Sequence, residues 1–147
     1  MDNIINTDSP LSPEQKDLFV ALLDTILPAS EDGRMPSAGE LDVTTYVQTH
    51  DPDFLTPLVE GLAWFDGEFA SLPAGRRHEL VEDFNRAQPA LFDTLLFNTY
   101  ACYYQDDQVL TALGLAGGAP FPRGREVSSG DLSLLDPVLA RAPFYRV

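Results

Sequence analysis

Cysteine is nearly absent from this chain. The one present, Cys102, cannot close an internal disulfide, and with only two histidines beside it a cysteine-rich structural zinc site is excluded too. Positive charge is also scarce: 9 bases stand against 23 acids, a formal net charge of -14 with a sequence pI near 4.2. A phosphate backbone would be repelled, so nucleic-acid binding is not expected. Long apolar runs are missing as well. Stretches such as Leu18 to Leu23 fall far short of the ~20 residues a membrane-spanning helix needs, so direct membrane insertion is not expected either. Met1 to Pro10 has neither a basic n-region nor an apolar h-region. The expectation is a cytoplasmic chain as it stands, or a periplasmic one if a signal has been removed or a partner carries it out.

What remains is the material of one globular domain. The 147 residues are 44% hydrophobic, 10% aromatic and 22% charged, enough to bury roughly 70% of the surface that the unfolded chain exposes. Charge is unevenly spread: residues 1–75 hold 14 acids and 2 bases, Lys16 and Arg34, while residues 76–147 hold 9 acids and 7 bases. No repeat or low-complexity tract is visible. The sequence reads as a single domain, 1–147, made of an N-terminal arm (1–11), a helical core (12–113) and an extended tail (114–147).

Helix signals punctuate the core. Ser12-Pro13-Glu14-Gln15 is a capping-box pattern that opens a helix to about Leu27. Within it Leu18, Phe19, Leu22, Leu23, Ile26 and Leu27 form one broad apolar face before Pro28 stops it. Ser37-Ala38-Gly39-Glu40 repeats the S-x-x-E signal ahead of Leu41, Val43, Tyr46 and Val47, and predicts a second, shorter helix. Asp51-Pro52 opens a third, with Leu55, Leu58, Val59, Leu62, Phe65 and Phe69 on one face. A fourth is expected over about 75–86, a fifth from Pro89 to about Gln105, and a sixth from Asp106 to Leu113, closed by Gly114 as a left-handed cap. The fifth is apolar around much of its circumference. Strand-like alternation never persists, so the fold class is all-α, a compact bundle of about five to six helices.

The tail has a different texture. Residues 114–147 contain 5 glycines and 4 prolines, with a short helix at most around Leu132 to Leu139. They also carry Phe121, Leu132, Leu134, Leu135, Val138, Leu139, Phe144 and Tyr145, too much apolar surface for a freely solvated segment. The tail is therefore expected to pack on the core or on a partner.

Candidate chemistry is thin. His50-Asp51-Pro52-Asp53 places an imidazole near two carboxylates, but Asp51 reads as a helix N-cap and Asp53 as a first-turn acid favoured by the helix dipole. His78 follows Arg76-Arg77 on an expected exposed face. Neither histidine has a partner at a known ligand spacing, so no metal site is expected. Asp106 and Asp107 read as a cap and a dipole partner rather than as an acid/base pair. Ser9, Ser12 and Ser37 occupy loop or cap contexts without a G-x-S-x-G elbow. Gly114 to Gly118 lacks the lysine of a phosphate-binding loop. Cys102, among aromatic residues, is expected to be a buried, inert thiol. The unusual features are the aromatic content of the fifth helix and the apolar tail, both suited to a protein-protein surface.

Two segments resemble a known family. Leu22-Leu23-Asp24-Thr25-Ile26-Leu27-Pro28-Ala29, followed by Pro36-Ser37-Ala38-Gly39 and Val43 to Val47, is similar to the opening of the gluconate 2-dehydrogenase subunit 3 family. Phe97-Asn98-Thr99-Tyr100, Tyr103-Tyr104, Val109, Leu113-Gly114 and Pro120-Phe121-Pro122-Arg123-Gly124 resemble that family's second signature. Ser30 stands where many relatives have aspartate, and their twin-arginine signal is missing. The resemblance implies a small, non-catalytic helical subunit with no cofactor of its own. Its partner would be a large flavoprotein of the glucose-methanol-choline group that holds FAD and oxidises sugars, sugar acids or glycosides, in some complexes with a cytochrome.

A subunit of that kind needs apolar area and shape. Phe121, Phe144 and Tyr145 are the expected anchors of its partner interface, with Arg123, Arg141 and Arg146 around them, because aromatic residues and arginine dominate interface energetics. No catalytic residue is expected. Two other readings stand beside this one: a stand-alone cytosolic helical adaptor, and a small enzyme with an unrecognised acidic site.

Overall fold

The computed structural model describes residues 10–115 and 130–141. The protein is all-α; among the described residues there is no strand. The chain divides into two compact units, Met1–Gly117 and Gly118–Val147.

In the first unit, α1 (Pro13–Ile26) starts where the capping box places it. The Ser12 hydroxyl accepts from the Gln15 N–H at 3.2 Å and the Gln15 side chain accepts from the Ser12 N–H at 2.9 Å. Its inner face, Leu18, Phe19, Ala21, Leu22 and Leu23, is buried. The second S-x-x-E signal acts differently from expectation. Glu40 accepts from the Ser37 N–H at 2.9 Å, but the box closes only a 3-10 turn, Ala38–Glu40. That turn is tied to the end of α1 by a bond from the Ala38 N–H to the Leu27 carbonyl, 2.9 Å, and Leu41 behind it is extended. A fresh cap is therefore needed. Asp42 supplies it, accepting from the Thr45 N–H at 3.0 Å to begin α2 (Val43–His50).

The expected third helix is also divided. A 3-10 turn, Pro52–Phe54, leads into α3 (Leu55–Leu62); the chain then turns through Asp66 and Gly67 before a further 3-10 turn, Phe69–Ser71. The Asp66 carboxylate accepts from the Glu68 N–H at 3.1 Å, stabilising the bend. The apolar spacing is kept because Phe65 and Phe69 both still reach the core, with ring centroids 4.7 Å apart. Phe84 lies 5.1 Å from Phe65, and Phe92 meets Phe84 edge-on at 6.1 Å. Such pairs contribute about 0.5–1.5 kcal/mol each beyond their buried area.

Two longer helices complete the frame, α4 (Ala74–Ala87) and α5 (Pro89–Tyr103). The exposed face of α4 holds the ion pairs Arg76–Glu79, His78–Glu82 and Arg86–Asp83. α1 packs against α3 and α4, and α5 packs against α2, α3 and α4, so α3 and α4 are shared between the two. α6 (Asp107–Ala112) is capped by Asp106 and closed by Gly114 at φ 75°, with the Leu115 N–H bonded back to the Leu110 carbonyl at 2.9 Å.

In the second unit, Asp131 caps a 3-10 turn, Leu132–Leu135, that runs into the single turn α7 (Asp136–Leu139).

Candidate protein-protein interface

α5 buries two polar side chains while leaving large aromatic ones in water. Proline at its first position suits the unsatisfied N-terminal N–H groups, and Phe92 and Leu95 face the core as expected. One turn on, however, the buried positions are polar: Asn98 is 1% exposed and Thr99 0%. Both are satisfied. The Asn98 amide donates to Asp51 Oδ2 at 2.8 Å and to the Thr94 carbonyl at 3.1 Å; the Thr99 hydroxyl donates to the Leu95 carbonyl at 2.8 Å. Tyr103 is buried as well and donates to the Pro36 carbonyl at 2.7 Å.

The opposite face carries the aromatic side chains. Phe97 is 70% exposed, Tyr100 41% and Tyr104 47%. With exposed Asp93 they stand at i, i+4, i+7 and i+11, one stripe about 16 Å long at the helical rise. Tyr104 packs 6.2 Å from Tyr100 and edge-on to buried Tyr103 at 5.3 Å, so its ring is held in place. A row of large rings in water, on a helix that buries Asn98 and Thr99, has the composition of an interface core.

On the inner side of the same helix end, Asp42 acts on Cys102, Glu40 on Tyr103, and Asp106 on both. Burial first, and then these carboxylates, raise the Cys102 thiol above its ordinary value. The thiol is half-buried, not fully enclosed as expected. Burial is also the main cause of the rise at the Tyr103 phenol.

Of the tail residues expected to anchor a partner, Phe121, Arg123, Phe144, Tyr145 and Arg146 lie outside the described residues. Arg141 is described, and it is exposed just beyond α7. The histidine-acid cluster separates into structural parts. His50 stacks on Tyr46 with centroids 4.3 Å apart, its Nδ1 3.0 Å from the Tyr46 carbonyl. Asp51 occupies the cap position but makes no cap hydrogen bond; its carboxylate serves Asn98 instead, correcting the expected role. Asp106 does cap, accepting from Gln108 N–H at 2.9 Å and Val109 N–H at 3.2 Å. His78 is exposed beside Glu82. An open depression between loop 30–35 and α6 is lined by Ser30, Glu31, Asp32, Arg34, Met35 and Ala112. There the Ser30 hydroxyl, then Arg34, pull Asp32 down to about 2. Among the described residues no three His, Cys, Asp or Glu side chains group to hold a metal, and no helix is long and apolar enough to cross a membrane.

The sequence showed that α5 is apolar almost all round, but not which side faces water. The available signal was Asn98-Thr99: two polar residues side by side, opposite Phe97 and Tyr100-Tyr104 on a helical projection. In comparisons with protein-family models, curated proteins and solved structures, nothing matches this chain.

Proposed function

We propose that this chain is a non-catalytic small subunit that binds and stabilises, or helps to mature or export, a FAD-dependent dehydrogenase of the glucose-methanol-choline group acting on sugars, sugar acids or glycosides. The observation that carries the subunit reading is the stripe of Phe97 and Tyr100 on α5 and Tyr104 at its C-cap, exposed while Asn98 and Thr99 of the same helix are buried. A helix folding for its own sake gains by turning its rings inward. This one buries Phe92 and Tyr103 but keeps Phe97, Tyr100 and Tyr104 outside while Asn98 and Thr99 are satisfied within. The polar candidates, His50, Asp51, Asp106 and His78, each have a structural partner. The flavoprotein identity of the partner rests on the motif resemblance around Leu22 to Ala29 and Phe97 to Tyr104, as does FAD on that partner and a cytochrome beyond it.

Co-expression with an FAD-dependent dehydrogenase encoded beside this chain tests the reading. Soluble, yellow dehydrogenase that sugar bleaches should appear only when both chains are made. Equal yield and flavin content without this chain would remove the proposal. In that outcome a stand-alone helical adaptor, using the same aromatic face for another protein, becomes the reading to pursue; a complete core within residues 10–115 is consistent with it.

A further inference from the structure

We infer that the α5 stripe receives a cationic protein surface, an apolar face rimmed by arginine or lysine, rather than a second copy of this chain. This rests on reading the stripe as an interface and adds the chemistry of what covers it. From Pro89 to Leu115 the chain has no lysine, arginine or histidine, while Asp93 extends the stripe itself and Asp106 and Asp107 follow its end. Exposed tyrosine rings within a negative surround attract guanidinium groups, since the ring faces and the carboxylates act with the same sign.

A second copy fits poorly. Three rings about half exposed present on the order of 300 Å², so a two-fold contact through them buries about 600 Å² in total, half of the roughly 1,200 Å² at which stable interfaces begin. It would also bring two identical sets of aspartates together in a protein whose net charge is -14. A cationic partner reverses both terms: its arginines extend the footprint over the flanking carboxylates, and the charges steer the encounter.

The test uses the full chain, labelled with nitrogen-15, and two synthetic helical peptides that share one leucine face, one rimmed with arginine and the other with glutamate. The arginine-rimmed peptide should shift the amides of Phe97, Tyr100 and Tyr104, bind at least about ten-fold tighter than its twin, and weaken about ten-fold between about 50 and 500 mM salt. Phe97→Ala should lower that affinity. Equal binding of the two peptides, shifts confined to other helices, or an unchanged Phe97→Ala variant overturns the inference, the last by showing only general attraction to an acidic protein. A dimer in sedimentation that Phe97→Glu dissolves also overturns it, by assigning the stripe to a second copy. Co-purification with a dehydrogenase without arginine preference would leave the subunit reading standing and remove this one; arginine preference without dehydrogenase binding would do the reverse.

Discussion

The Tyr103 hydroxyl donates to the Pro36 carbonyl oxygen at 2.7 Å, joining residues 67 positions apart in a bond that is buried at both ends. It fixes the last turn of α5 to the segment between α1 and the Ala38–Glu40 turn. Removing the hydroxyl while keeping the ring isolates its contribution. Tyr103→Phe should lower stability by about 1–3 kcal/mol, the cost of leaving a buried carbonyl without its donor. Urea unfolding should show a lower midpoint with an unchanged slope. A variant as stable as the parent would mean that the Pro36 carbonyl finds another donor.

Asn98 and Asp51 form the second long tie, and here a double-mutant cycle is the appropriate measurement. The Asn98 amide is 1% exposed and donates to Asp51 Oδ2 at 2.8 Å, so either alanine substitution removes this bond between the two helical segments. Asn98→Ala and Asp51→Ala should each destabilise, and together by less than the sum of the two, with a coupling of about 0.5–3 kcal/mol. Strict additivity would show that the contact contributes nothing.

Much of the helical frame is legible in the sequence, because caps and breakers act locally. Ser12, Asp106 and Gly114 perform as their patterns suggest. The misreadings come from long-range contacts that compete with local signals. Ser37 closes a short turn instead of a helix because Ala38 is bonded to Leu27, and Asp51 leaves its cap to satisfy a buried amide 47 positions away. The candidate interface was half visible. Composition marks α5 as unusually aromatic, but the choice of which side faces water depends on whether Asn98 and Thr99 find partners, and Asp51 is too distant in sequence for a local pattern to reveal it.

Alkaline pH should weaken the fold through the same end of α5. Burial raises both the Cys102 thiol and the Tyr103 phenol above their reference values of 9.0 and 10.0. A raised value means the folded state holds the proton more tightly than the unfolded state. The resulting stability is fully present below about pH 9, the unfolded thiol value, and is lost as pH rises through the folded ones. Stability measured from about pH 8 to 11 should fall, and the fall should be shallower in a Cys102→Ala, Tyr103→Phe variant. Parallel curves for the two proteins would contradict the assignment to these groups.

Gly39 is where the Ala38–Glu40 turn meets α1. A Cβ there would lie 2.8 Å from the Val20 carbonyl oxygen and closer still to the Asp24 carboxylate. Asp24 can rotate; the Val20 carbonyl, part of the α1 backbone, cannot. Gly39→Ala should therefore cost about 1–3 kcal/mol by overpacking, and adding Asp24→Ala should recover only part of it. Full recovery in the double variant would show that the backbone yields after all.

Leu95 and Phe97 lie two residues apart on opposite faces of α5, and substituting each with alanine should give opposite results in two assays. Leu95 is 2% exposed and lines the core with Leu22, Leu58, Leu62 and Phe84. Leu95→Ala should cost about 2–5 kcal/mol as a cavity opens. Phe97 is the larger side chain, yet at 70% exposure it has little to lose, and Phe97→Ala should stay within about 0.5 kcal/mol of the parent. In a partner pull-down the order should invert: Phe97→Ala should lower capture of the partner at least about ten-fold, the range of an interface anchor, whereas any Leu95→Ala that remains folded should bind normally. Should Phe97→Ala destabilise the isolated chain as much as Leu95→Ala does, the ring is part of the core in solution and α5 has no free aromatic face to offer.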